Sequence, residues 1–167
     1  TTYALGARVI LVSTHKVYES LQAGNLNKDP VTEAAFWIEV SATNRWKCFD
    51  TSNSTQTAQA NAISYEITPG VAITSFAALN LTNASSIRIR LVDDTYGTVY
   101  DKTTDLSALP ADSYWWDWFF GIRIAPELSV FTDLPAYPNA TLMIDLTGGT
   151  ELAVGVFLFG QAQIGRA

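Results

Sequence analysis

Carboxylates are the remaining catalytic candidates in this chain. Asp93, Asp94, Asp101, Asp105, Asp112, Asp117, Asp133 and Asp145, with Glu127 and Glu151, are spread over its later part. A glycoside hydrolase needs only two such groups, held about 5 to 10 Å apart across a cleft, one acting as acid and the other ionised. No spacing in the sequence pairs any two of them, so the expectation is solvated loop positions, where oxygen clusters could at most hold a structural calcium ion. His15 is the single histidine and Cys48 the single cysteine. A zinc site needs several ligands of those types. No phosphate-cradling glycine loop and no nucleophile elbow occurs. Flanked by Thr14 and Lys16, His15 reads as the solvated tip of a hairpin, and Cys48, between Lys47 and Phe49, as a small buried apolar residue. The chain is therefore expected to have no catalytic residues, no cofactor and no metal.

Aromatic side chains are the second candidate chemistry, because their faces stack on sugar rings. Tyr114-Trp115-Trp116-Asp117-Trp118-Phe119-Phe120 is the densest run. If it is a strand, period-two alternation sends Trp116, Trp118 and Phe120 to one face and Trp115, Asp117 and Phe119 to the other. One set is then core, and an exposed second set would be an interface or a glycan platform. With Tyr3, Tyr18 and Trp37 nearer the N-terminus, the candidate glycan or interface aromatics are Tyr3, Tyr18, Trp37, Trp115, Trp116 and Trp118.

The elements that must position these groups read as strands: short β-branched and aromatic runs separated by Gly, Asn, Asp or Pro. Segments 8–13, 16–21 and 35–40 predict three short strands, with Tyr3, Val9, Tyr18, Phe36 and Trp37 as a mini-core too small to stand alone. From Asn44 onward a longer series follows: 63–67, 73–80, 86–93, 97–101, 116–124, 140–146 and 152–164. Ser86-Ile87-Arg88-Ile89-Arg90-Leu91 alternates cleanly, which turns the isoleucines inward and the arginines outward. Asp94-Thr95-Tyr96-Gly97 predicts a hairpin turn with Gly97 at positive φ. Gly155 and Gly160 suggest bulges or close backbone approach in the last strand. The fold class is all-β, a jelly-roll-like β-sandwich over 43–167 with a small N-terminal three-stranded β module over 1–42. Arg45 is expected to pair with a carboxylate, and Trp46 and Phe49 to be buried where the sandwich starts.

Composition bounds the partners. At 167 residues, with 48% hydrophobic and 16% charged side chains, the chain holds one sizeable core. A net charge of -6 and a pI near 4.6 disfavour nucleic acid. One cysteine excludes an internal disulfide framework. No signal peptide opens the chain and no apolar run is long enough for a bilayer, so cytoplasmic synthesis without membrane insertion is expected.

Two stretches carry a resemblance. Tyr3-Ala4-Leu5-Gly6-Ala7-Arg8-Val9, a second aromatic strand at Val17-Tyr18-Glu19-Ser20, the loop from Gly24 to Pro30 and Phe36-Trp37-Ile38-Glu39-Val40 resemble the small chitin-binding-type carbohydrate module. Asn44-Arg45-Trp46-Lys47-Cys48-Phe49-Asp50, placed just after such a module, is similar to a family of tailed-bacteriophage virion proteins found among tail, collar and fibre components. This implies a noncatalytic, oligomeric structural part of a virion made in the host cytoplasm, in contact with copies of itself and other virion proteins. A host-surface glycan-binding module and a polysaccharide-depolymerising glycosidase are the alternatives. Two departures bear on sugar binding. Ala7 stands where the module carries an acidic residue, and the loop from Gly24 to Pro30 has no aromatic where the module has its stacking Trp or Tyr, which implies a kept fold with a lost binding face.

Overall fold

The computed structural model describes residues 1–50, 52–107 and 126–161. In the N-terminal part, β1 (Thr2–Tyr3), β2 (Arg8–Leu11), β3 (Lys16–Ser20), β4 (Asn25–Leu26) and β5 (Trp37–Ala42) make two small antiparallel sheets, β1-β4 and β2-β3-β5. Trp37 is their anchor. It is buried, its indole N–H donates to the carbonyl of Lys28, and the Tyr3 ring meets it edge-on at 5.2 Å. Buried Tyr18 packs into the same unit, and buried Asn25 donates to the Ser20 hydroxyl and the Phe36 carbonyl. Among the described residues, none of these strands pairs with a strand of the larger sheet.

A 3-10 helix (Asn44–Phe49) leads into the body, which contains β6 (Thr57–Ala58), β7 (Ala62–Ile67), β8 (Ser75–Asp93), β9 (Gly97–Asp105), β10 (Leu128–Phe131) and β11 (Thr141–Gly160). The two long strands β8 and β11 pair along most of their length. Their first-paired halves, Ser86 to Val92 against Thr141 to Thr147, are flanked by β9 and β7. Their other halves, Ser75 to Thr82 against Ala153 to Gly160, are flanked by β10 and β6. Between the halves the ladder breaks register on both sides of Gly148, and Asn80 and Asn83 adopt positive φ. Sheets joined by strands that pass through a bend fold over on themselves. The result is an all-β sandwich whose two leaves share β8 and β11.

Glycine is required at that corner. A Cβ on Gly148 would lie 2.2 Å from the Asn83 carbonyl oxygen, and one on Gly155 would lie 2.7 Å from Asn80 Cβ. The inward phase of β8 slips accordingly: Phe76 and Ala78 are buried on one side of the bend, Ile87, Ile89 and Leu91 on the other, with Leu81 and Ala84 carrying the change. The leaves close on a shared core in which Phe157 touches Phe49, Tyr65 and Phe76, and the Lys102 ammonium lies 5.7 Å from the Phe131 ring.

The strands expected at 73–80 and 86–93 are thus one strand, as are those at 140–146 and 152–164 as far as Gly160. β9 runs past 101 to Asp105, and β1, β4, β6 and β10 were not expected. Ile87, Ile89 and Leu91 face inward and Arg88 and Arg90 outward, as the alternation predicts. The turn after β8 forms with Gly97 at φ +72°, and the Asp93 carboxylate accepts from the Thr95 and Tyr96 N–H groups. Gly155 makes the expected close approach, whereas Gly160 has open space where a side chain would stand. The strand expected at 116–124 lies outside the described residues. So do residues 108–125, most of the run between β9 and β10 on which jelly-roll wiring depends. Among the described residues no helix is long and apolar enough to cross a membrane.

Candidate functional site

Where the N-terminal sheets meet the sandwich there is a groove of about 850 Å³. Three local structures build it. The β2–β3 hairpin contributes Ile10, Val12 and, at its tip, His15 with φ 55°, whose carbonyl accepts from the Thr43 N–H at 2.8 Å. The 3-10 helix contributes Arg45, Trp46 and Phe49. At three residues per turn, positions i and i+3 stack on one face, and Trp46 and Phe49 accordingly sit 5.7 Å apart. The body contributes Tyr65 to Ile67 of β7, Thr68 just after it, and Phe159 near the end of β11.

Three features fix the helix. Thr57 Oγ1 accepts from the Cys48 N–H and donates to the Asn44 carbonyl. Asn44 holds Ala58 through both ends of its amide. The Tyr65 hydroxyl donates to the Arg45 carbonyl. Burial pushes the Tyr65 phenol and the Cys48 thiol above their ordinary pKa values, so both stay protonated at neutral pH and neither is an activated nucleophile.

The expectation of a buried Trp46 is corrected: it is 41% exposed, because the 3-10 turn that carries it aims it into the groove. His15 is not simply solvated. Its ring lies on Trp46 with centroids 4.2 Å apart. The ion pair expected for Arg45 is also absent among the described residues, where Arg8, Lys16, Lys28, Arg88, Arg90 and Lys102 each hold a carboxylate. Cys48 is fully buried, as expected.

The candidate aromatics divide. Tyr18 and Trp37 are buried and present no open face to a sugar, and Tyr3 is half-buried against Trp37. They form the mini-core instead. Trp115, Trp116 and Trp118 lie outside the described residues.

The candidate carboxylates are engaged structurally. Asp101 holds Arg88, Asp145 holds Arg90, and Asp133 accepts from Lys102 and the Tyr100 hydroxyl. Asp93 caps its turn, and Asp105 accepts from the Ser107 hydroxyl and N–H. Asp94, Glu127 and Glu151 lie exposed on the surface, and Asp112 and Asp117 lie outside the described residues. Glu66 is the one carboxylate lining the groove among the described residues. Among these residues no group of three or more His, Cys, Asp or Glu is placed to hold a metal ion.

A second surface spans three strands. On the outer face of the leaf made by β10, β8 and β11, the register aligns Leu128 and Leu79 in one row, which ends on buried Val156, and Val130, Ala77 and Leu158 in the next. Leu128, Val130 and Leu158 are 51%, 54% and 52% exposed. The signal is the apolar alternation of Leu128-Ser129-Val130-Phe131, too short to stand out before its partner strand is known. Compared with family models, curated proteins and solved structures, the chain shows no match.

Proposed function

We propose that the chain is a noncatalytic structural subunit of a tailed-bacteriophage particle, in its tail, collar or fibre apparatus, working as an oligomer with copies of itself and neighbouring virion proteins. The observation that carries the assembly reading is the apolar outer face of β10, β8 and β11. An outward row on a sandwich surface is ordinarily polar, and contiguous apolar rows mark contact surfaces. The opposite leaf makes the contrast: its outer face carries Arg88, Asp101, Arg90 and Asp145 as ion pairs. The particle context rests on the resemblance of the Asn44 to Asp50 run to virion proteins.

The groove also fits a noncatalytic role. Its walls are mainly apolar and aromatic, with Ile10, Val12, Trp46, Phe49, Ile67 and Phe159 among them. Antibody labelling of intact phage particles in electron micrographs tests the context. Label at the tail, collar or fibres is expected; particles that never carry the chain would overturn it.

A second reading, a host-surface glycan-binding module, draws on Trp46, whose indole stays open to the groove. A glycan array with the oligomer, repeated with Trp46→Ala, decides between them: binding lost in the variant supports the second reading, and no binding by either protein removes it.

A further inference from the structure

We propose that the groove is a reciprocal contact for a second copy of this chain, with Arg45 of each copy meeting Glu66 of the other across a two-fold axis. The proposal rests on the assembly reading above and names the surface and the charge pair. The groove is apolar but not neutral. Ile10, Val12, Trp46 and Phe159 are large exposed apolar side chains along it, and Arg45 and Glu66 are exposed charges of opposite sign in the same lining. Neither makes an ion pair with a described residue, although the other groove-independent ion pairs of the sheets are closed within the chain.

In a two-fold contact the same patch serves both copies, so residue i touches residue j and j touches i. A patch holding one cation and one carboxylate is complementary to itself under that operation. A patch of a single sign is not. This matters for a chain of net charge -6, whose copies repel one another until a contact supplies local attraction. Among the described residues β7, which carries Glu66, pairs only with β11, and none of them pairs with its other edge. An approaching copy of the chain would cover that edge together with the apolar walls.

The test is charge reversal in the full chain, read by sedimentation velocity over a range of concentrations, with circular-dichroism melting to show that each exposed substitution leaves the fold intact. Arg45→Glu alone and Glu66→Arg alone each place like charges at both halves of the contact, and each is expected to weaken self-association about tenfold. The double variant restores it. Mixing the two single variants also restores it, because each unlike pair is then satisfied between different chains, an outcome that an ion pair within one chain could not produce. Wild-type protein that assembles while both single variants assemble equally well overturns this contact and leaves assembly through the outer sheet face standing. Wild-type protein that stays monomeric at every concentration overturns both.

Discussion

The imidazole of His15 lies on the indole of Trp46, with ring centroids 4.2 Å apart and planes 18° from parallel. One residue sits on a hairpin of the N-terminal sheet and the other on the 3-10 helix that opens the body, so this stack is a direct tie between them. The hydrogen bond from the Thr43 N–H to the His15 carbonyl runs beside it.

Trp46→Ala is expected to lower stability by about 1 to 2 kcal/mol, the value of an aromatic pair together with its lost packing. Urea unfolding measures it. Adding His15→Ala to that variant should cost little more, since the partner is already gone, whereas fully additive losses would show that the stack carries no coupling.

The corner of the sandwich gives a sharper contrast. Gly148→Ala drives a methyl group into the Asn83 carbonyl, a backbone atom that cannot swing aside, and a loss of about 3 kcal/mol or more is expected. Gly160→Ala meets nothing and should change stability by less than about 0.5 kcal/mol. Thermal melts of the two variants side by side check this, and equal melting temperatures would refute the bend.

Much of this architecture was legible from residue patterns, and the exceptions have physical causes. Ile87, Ile89 and Leu91 keep a strict period of two through a straight half-strand, so their burial could be read. Around Asn80 and Asn83 the inward positions fall three apart, and a continuous bent strand then looks like two strands with a break. Trp46 was misread because its apolar bulk was taken for core, whereas the 3-10 turn that carries it leaves it at the groove beside Phe49. Tyr18 and Trp37 were legible as core but not distinguishable from sugar-stacking rings, since both roles ask for the same side chain. The groove and the outer apolar face depend on strands far apart in sequence, which residue order alone does not bring together.

Cys48 should resist modification while the protein is folded. It is fully buried, and burial raises its thiol pKa, so little thiolate forms and less is reachable. A colorimetric thiol reagent at pH 8 is expected to label it fast only after denaturant is added. Rapid labelling of native protein would contradict the packing of the 3-10 helix against β6.

Acid should weaken one tie of the loop that follows β10. The Lys102 ammonium, followed by the Tyr100 hydroxyl, holds the Asp133 carboxyl below its ordinary value of 3.8. A carboxylate with a depressed folded-state pKa stabilises fully above the unfolded value and loses that contribution as pH falls through the folded one. The contribution is therefore constant at neutral pH and is lost progressively as pH falls below about 4. Asp133→Asn should lower the melting temperature slightly at pH 7 and flatten its acid dependence. An unchanged acid limb would show that the contact adds nothing.

The central claim is that the outer face of β10, β8 and β11 is a contact between subunits, and sedimentation velocity of wild-type protein beside Leu158→Asp tests it most directly. Leu158 is half exposed, so the substitution leaves the core intact, and matching circular-dichroism melts would show that it has. Wild-type protein is expected to sediment as an oligomer at high concentration and the variant to shift toward the monomer. A variant that assembles as fully as the wild type would contradict the account.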